Sequence, residues 1–161
     1  MKKISNTKAM INKIFILTTL LFISLAGVAQ ELKSDAVYQE LTKEYTLNKD
    51  GSWSYHHSYK LLINTYYAFH NLYGEDFIVY DPAFQKLKVN RSVTTMADGK
   101  QVSSPANAYN EVLPGFAANV PAWNRLREMV VTHTGLERGA TIDFDYTLTS
   151  AKGYTQAMMG N

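Results

Sequence analysis

The sequence predicts an all-β protein: an antiparallel β-sandwich, or an open and strongly bent sheet, built of hairpins with at most one short helix. Three observations predict it. Residues 52–64 alternate, with Trp53, Tyr55, His57, Tyr59, Leu61 and Ile63 on one side and Ser52, Ser54, His56, Ser58 and Lys60 on the other. Residues 141–149 alternate too, setting Ile142, Phe144, Tyr146 and Leu148 against Thr141, Asp143, Asp145, Thr147 and Thr149. A strand turns successive side chains to opposite faces, so each stretch has one apolar and one wet face. The composition agrees: eleven Tyr, seven Phe and two Trp suit pleated, half-buried surfaces.

The first 29 residues read as an address. A basic, polar start is followed by a 13-residue, nearly unbroken apolar run at 14–26, then by Gly27-Val28-Ala29. This is the three-part pattern of a secretory signal peptide, with cleavage expected between Ala29 and Gln30. The apolar run is short of the ~20 residues that a membrane-crossing helix needs, which argues against a retained anchor. The expectation is an exported protein, periplasmic or at the cell surface, with no membrane span after cleavage and one β-domain over 30–161.

After a polar lead-in, residues 37–47 read as a half-buried strand with Val37, Leu41, Tyr45 and Leu47 on one face and Tyr38, Glu40, Thr42, Glu44 and Thr46 on the other. Asn48-Lys49-Asp50-Gly51 supplies turn chemistry, so this strand and the aromatic one after it form a hairpin. Tyr66, Phe69 and Tyr73 fall at helical spacing before Gly74, which predicts a short helix. Residues 77–80 form a short strand that Asp81-Pro82 breaks. Residues 86–96 alternate again with Leu87, Val89 and Val93 inward, and Asp98-Gly99 turns the chain into a short return at 100–103.

Residues 104–123 have no period and carry Pro105, Pro114 and Pro121, which predicts a long loop of the kind that often carries function. Beyond it, residues 125–133 and 140–150 read as two strands joined by a six-residue connector containing Gly135 and Gly139, hence as a hairpin. The ending from Tyr154 to Asn161 is neither a capped strand nor a charged tail.

Charge and cysteine usage narrow the function classes. Four of the sixteen basic residues lie within the first thirteen positions; without them, 12 basic residues face 14 acidic ones, a formal charge of −2. That is no electrostatic footprint for nucleic acid or an anionic membrane. The chain has no Cys, which removes disulfides, thiolate metal sites, a cysteine nucleophile and lipid attachment at an N-terminal cysteine.

Of the four histidines, His56 and His57 are adjacent on a strand and point to opposite faces, and His70 and His133 have no partner nearby in sequence. No metal or other cofactor is expected. Asp143 and Asp145, with Glu137 close by, suit a solvated strand face better than a calcium loop or an acid–base pair. Ser103, Ser104 and His133 lack the surroundings of a nucleophile elbow. The rings Trp53, Tyr55 and Tyr59 alternate too regularly to be an exposed patch and are expected in the core. Tyr109, Phe116 and Trp123, in the long loop, are the candidate ligand-binding residues.

Three features together resemble a known family: Asp50-Gly51 followed by an aromatic strand; the strand-turn-strand around Ala97-Asp98-Gly99-Lys100; and Gly135-Leu136-Glu137-Arg138-Gly139-Ala140-Thr141-Ile142 running into Asp143-Phe144-Asp145-Tyr146. The chain resembles the domain of unknown function 3857, an extracytoplasmic all-β module of Bacteroidetes-type bacteria that precedes a transglutaminase-like domain. The resemblance implies that Cys-His-Asp machinery, where present, belongs to that downstream domain. It also implies that this chain is cut short of the domain's last strands, and a truncated sandwich with an unpaired edge is expected to be poorly soluble or oligomeric. No catalytic residue carries over.

The expected function is that of a non-catalytic, exported β-domain. It would pack on or position a transglutaminase-like domain, or mediate contact with another periplasmic or surface protein or polymer. The alternative is a stand-alone carbohydrate- or peptide-binding module using the 104–123 loop.

Overall fold

A computed structural model of the chain describes residues 34–154. The expected signal segment and the cleavage expected between Ala29 and Gln30 lie outside the described residues. The fold is a sandwich of two antiparallel sheets. The first has the order β1 (Ala36–Leu47), β2 (Trp53–Ile63), β8 (Thr141–Ser150), β4 (Gln85–Thr95), β5 (Gln101–Ser103), and the second β3 (Glu75–Tyr80), β7 (Arg127–Thr132), β6 (Tyr109–Val112).

β1 (Ala36–Leu47) and β2 (Trp53–Ile63) form the expected hairpin, closed at Gly51 with φ +82°, a conformation that costs a residue lacking Cβ little. β2 and β8 (Thr141–Ser150) are the centre of the first sheet. Trp53, Tyr55, Tyr59, Leu61 and Ile63 of β2 are buried against Ile142, Phe144, Tyr146 and Leu148 of β8. The strand rings therefore supply core area, as their alternation predicts. On the facing sheet, β3 (Glu75–Tyr80) contributes Ile78 and Tyr80, and β7 (Arg127–Thr132) contributes Val131.

Two bulges shift the inward parity that the sequence suggests. The pairing of β4 (Gln85–Thr95) with β8 skips between Val89 and Arg91, leaving Asn90 as an extra residue. Leu87 and Val89 point inward before the bulge; after it, Ser92 and Thr94 do, opposite Phe144 and Ile142. Val93 lies opposite Asp143 on the wet face, not inward with Leu87 and Val89. In β1 the register skips between Tyr38 and Glu40, so Tyr38 joins Leu41, Tyr45 and Leu47 on the inner face and Val37 does not. A bulge adds one residue to one strand only, so it reverses the facing of everything beyond it.

β1 is also more exposed than a half-buried strand. Leu41, Tyr45 and Leu47 are 51%, 46% and 68% exposed, because the second sheet does not reach over this edge. The predicted short helix is a π-helical turn, Ala68–Leu72, ending before Gly74. The 104–123 stretch is not one loop. The return strand β5 (Gln101–Ser103) leads into β6 (Tyr109–Val112), which pairs with β7, and 3₁₀ turns lie at Ala106–Ala108, Gly115–Ala117 and Pro121–Trp123.

The largest departure concerns residues 125–150. The two arms do not pair: β7 bonds β3 and β6, while β8 bonds β2 and β4. The connector crosses from one sheet to the other, and facing sheets stand ~10 Å apart. Gly135 (φ +76°) presses on the β4–β5 hairpin, where an added Cβ would lie 3.2 Å from Val102. The Glu137 carboxylate accepts the Ala97 backbone N–H at 2.9 Å. The same glycines that suggest a hairpin turn serve this crossover, and each arm packs face to face on the other's sheet.

Candidate functional site

Asp81 ends β3. The following Pro82 has no N–H for the ladder and biases Asp81 away from helix, so the chain turns there toward β4. The Asp81 side chain is wholly buried. Its Oδ2 accepts from Arg125 Nε at 2.5 Å and from the Tyr154 hydroxyl at 3.2 Å, and its Oδ1 accepts from the Ala83 N–H at 3.1 Å. The carboxylate is thus fully engaged. The same hydrogen bond from Arg125 pushes the guanidinium further above its ordinary value.

Gln85 lies one turn on, at the start of β4. Its Oε1 accepts the Asp81 N–H at 2.8 Å, which fixes the orientation of the amide. Among the described residues the Nε2 donor finds no partner, and the residue is 6% exposed. Burying an unpaired donor costs about 1–3 kcal/mol.

Around Asp81 and Gln85 lies a cleft of about 460 Å³, between the inner faces of the two sheets at one end of the sandwich. Tyr45, Trp53 and Tyr55 form one wall, and Val79 and Tyr80 the other. Tyr45 and Tyr55 stack with centroids 4.4 Å apart. Burial and the hydrogen bond to Glu111 push the Tyr80 hydroxyl up to about 12, so it remains a donor. The segment after β8 returns to the cleft, where Trp53 Nε1 donates to the Tyr154 carbonyl at 2.7 Å.

Two of the three candidate ligand-binding residues come together at the rim. Phe116 and Trp123 are exposed, edge to face with centroids 5.5 Å apart, and both line the cleft. Tyr109 takes no part in the lining; it sits on β6 opposite Val131, half-buried against the core. Tyr45, Tyr80, Asp81, Gln85, Arg125 and Tyr154 carry no sequence signal of a shared site, since they come from four separate stretches. Asp81 reads only as a strand breaker and Arg125 only as the start of a strand.

A second constellation lies in the core. His133 Nε2 donates to Asp76 Oδ2 at 2.8 Å, and Nδ1 accepts from Ser92 Oγ at 3.2 Å. Ser92 is 2.8 Å from Ser104 Oγ, and the Tyr59 hydroxyl donates to Asp76. Ser104 and His133 thus share a network, with Ser92 rather than Ser104 on the imidazole. The His133 side chain has no exposed surface, and the network bonds the two sheets internally.

On the outer face, Asp143 pairs with Arg91 at 2.7 Å, and Asp145 accepts from His56 at 2.9 Å and from Asn90 at 2.8 Å. His57 points the other way, toward Tyr146. Among the described residues, no group of three or more His, Cys, Asp or Glu is placed to hold a metal ion, and no helix is long and apolar enough to cross a membrane.

Residues 49–158 match the family model of the Domain of Unknown Function DUF3857, for which structures have been solved. The chain belongs to the DUF3857 family. Its sandwich is similar to part of the crystal structure of a putative protease from Parabacteroides distasonis, at 50% identity and a TM-score of 0.73. The match covers 76% of this DUF3857 chain and 24% of that protein. The CBM3a-L domain of scaffoldin cipA from Clostridium thermocellum is 13% identical at a TM-score of 0.36, over 73% of this chain and 72% of that one, and carries no argument. No curated protein matches the chain.

Proposed function

We propose that this DUF3857 chain is an exported, non-catalytic binding and positioning module that holds polypeptide in its aromatic cleft. The polypeptide would belong to a transglutaminase-like domain, or to another periplasmic or surface protein. The observation that carries the reading is the cleft walled by aromatic rings, with Gln85, whose buried Nε2 is unpaired among the described residues, in its lining. A peptide offers both complements at once, an apolar or aromatic side chain for the rings and a carbonyl for the amide.

Two further observations support it. Asp81 and the His133 network, the most acid–base-like groups present, are engaged by neighbours within the fold. The 50%-identical region is about a quarter of a larger protein, a setting in which one domain positions another. The alternative is a stand-alone glycan or peptide binder built on the 104–123 stretch, which places Phe116 and Trp123 at the rim.

The test is the fluorescence of Trp123 in the chain titrated with acetyl-Val-Phe-Val-Thr-amide, and separately with cellotetraose and chitotetraose. A saturable shift with the peptide, lost in Trp123→Ala, is expected. A shift with the sugars alone favours the glycan reading. No shift with any probe removes the cleft as a binding site.

A further inference from the structure

The two sheets are unequal, and their offset leaves a slot. The connector after β7 lies over β8, where His133 meets Phe144 with ring centroids 5.3 Å apart. β3 lies over β2, where Tyr59 bonds Asp76. The order β3-β7-β6 then puts the outer edge of β3 on the side of β1, and among the described residues no strand pairs with that edge. Beneath it, the inner face of β1 presents Tyr38, Leu41, Tyr45 and Leu47, each 46–68% exposed. A strand added beside β3 would stand ~4.8 Å further out, the same step that separates β1 from β2. It would therefore lie directly over the apolar face of β1.

We propose that this slot is a strand-addition site for a partner polypeptide, which pairs with the free edge of β3 and lays alternate apolar side chains and one carboxylate on β1. The inference rests on reading the cleft as a polypeptide site, since Tyr45 and Val79 belong to both, and it names the kind of segment taken. Main-chain bonds to an edge give such binding its affinity, and pockets for alternate side chains give it specificity.

The carboxylate follows from Lys43. It lies opposite His57 in the register, between Leu41 and Tyr45 on the inner face, and among the described residues no carboxylate is within ion-pair distance of it. Lys43 is exposed, so its ammonium stands at the open side of the slot, where it favours an acidic counterpart on an incoming segment. It also selects against a second copy of this chain. Docking through the same face about a two-fold axis would bring two Lys43 side chains into one slot.

The test uses the chain labelled with ¹⁵N and a short peptide of alternating Thr and Val with Glu at its central inward position, beside the same peptide with Lys there. Saturable binding of the Glu peptide is expected, with exchange protection of outward-facing β3 amides and affinity reduced about tenfold for the Lys peptide. Lys43→Glu should reverse that preference, and N-methylation of the peptide along its β3-facing edge should abolish binding. Equal affinity for both peptides, no binding of the Glu peptide, or unprotected β3 amides overturns the proposal. So does a dimer by sedimentation that Leu41→Thr dissolves, which would assign the slot to a second copy. If Trp123 responds to peptide while β3 stays unprotected, the cleft reading survives and the slot fails. If nothing moves Trp123 but β3 is protected, the reverse holds.

Discussion

His133 and Asp76 join across 2.8 Å where the two sheets meet, with the imidazole Nε2–H donating to Oδ2. The carboxylate also accepts the Tyr59 hydroxyl, and the far ring nitrogen accepts from Ser92. The network links β2, β3 and β4 to the chain after β7, and each of its polar groups has a partner within it.

Removing Asp76 should therefore cost more than its partly exposed position suggests. Asp76→Ala leaves the Tyr59 hydroxyl and His133 Nε2–H without their shared acceptor, a loss of about 2–6 kcal/mol at about 1–3 per orphaned group. Urea denaturation measures it. A change within about 0.5 kcal/mol, ordinary for surface substitutions, would mean that the network is not load-sharing.

Arg125→Ala strips the wholly buried Asp81 of its cationic partner. Because the Arg125 side chain is 51% exposed, water replaces part of the contact, and the melting temperature should fall by less than for the loss of a fully buried pair. Arg125→Lys should recover less than half of that fall, since a single ammonium lacks the planar fork. Thermal melts of the three proteins in one buffer decide this.

His57 sets a pH dependence. Burial, and then the Lys43 charge opposite, hold its imidazole below the ordinary value. A folded-state value below the unfolded one means that the fold prefers the neutral ring. The stability is then fully present above the unfolded value of ~6.5 and is lost as pH falls through the folded value. His57→Phe removes the titrating group and, with it, the Nδ1 contact to the buried Tyr146 hydroxyl at 3.3 Å, while Nε2 is unpaired among the described residues. It should flatten the decline below pH ~6.5, with any cost of the lost Tyr146 contact appearing as an offset at every pH. Urea midpoints across that range read the slope. An unchanged slope in the variant would assign the dependence elsewhere.

Asn90 is an extra residue, so deleting it should keep the fold. Val89 would still face Tyr146 and Arg91 would still face Asp145, with the bonds from Asn90 to Asp145 and Thr147 lost. That costs about 1–2 kcal/mol. Deleting Val93 instead would turn Thr94 from the core to solvent and break cooperative unfolding. Circular dichroism melts of both deletions separate the cases.

The sequence by itself determined the strand identities and the core face wherever alternation ran unbroken. Trp53, Tyr55, Tyr59, Ile142 and Phe144 could face inward only together, because a one-residue slip moves the whole set to solvent. The turns at Gly51 and Gly99 were equally legible, since a left-handed backbone leaves its mark as glycine.

Tertiary structure alone decided the rest. The bulges at β1 and β4 change no residue type, so Val93 and Tyr38 carry no mark of the side they take. Residues 125–150 contain two strands and two turn-forming glycines, and nothing local says whether a turn joins neighbours in one sheet or crosses between two. That choice depends on what each arm packs against, and the partners are distant: Gly74 and Tyr109 for one arm, Trp53 and Gln85 for the other. The cleft is of the same kind. Asp81, Gln85, Trp123, Arg125 and Tyr154 meet only because the sheets close over them, and proximity in space is a property of the packing rather than of any stretch of chain.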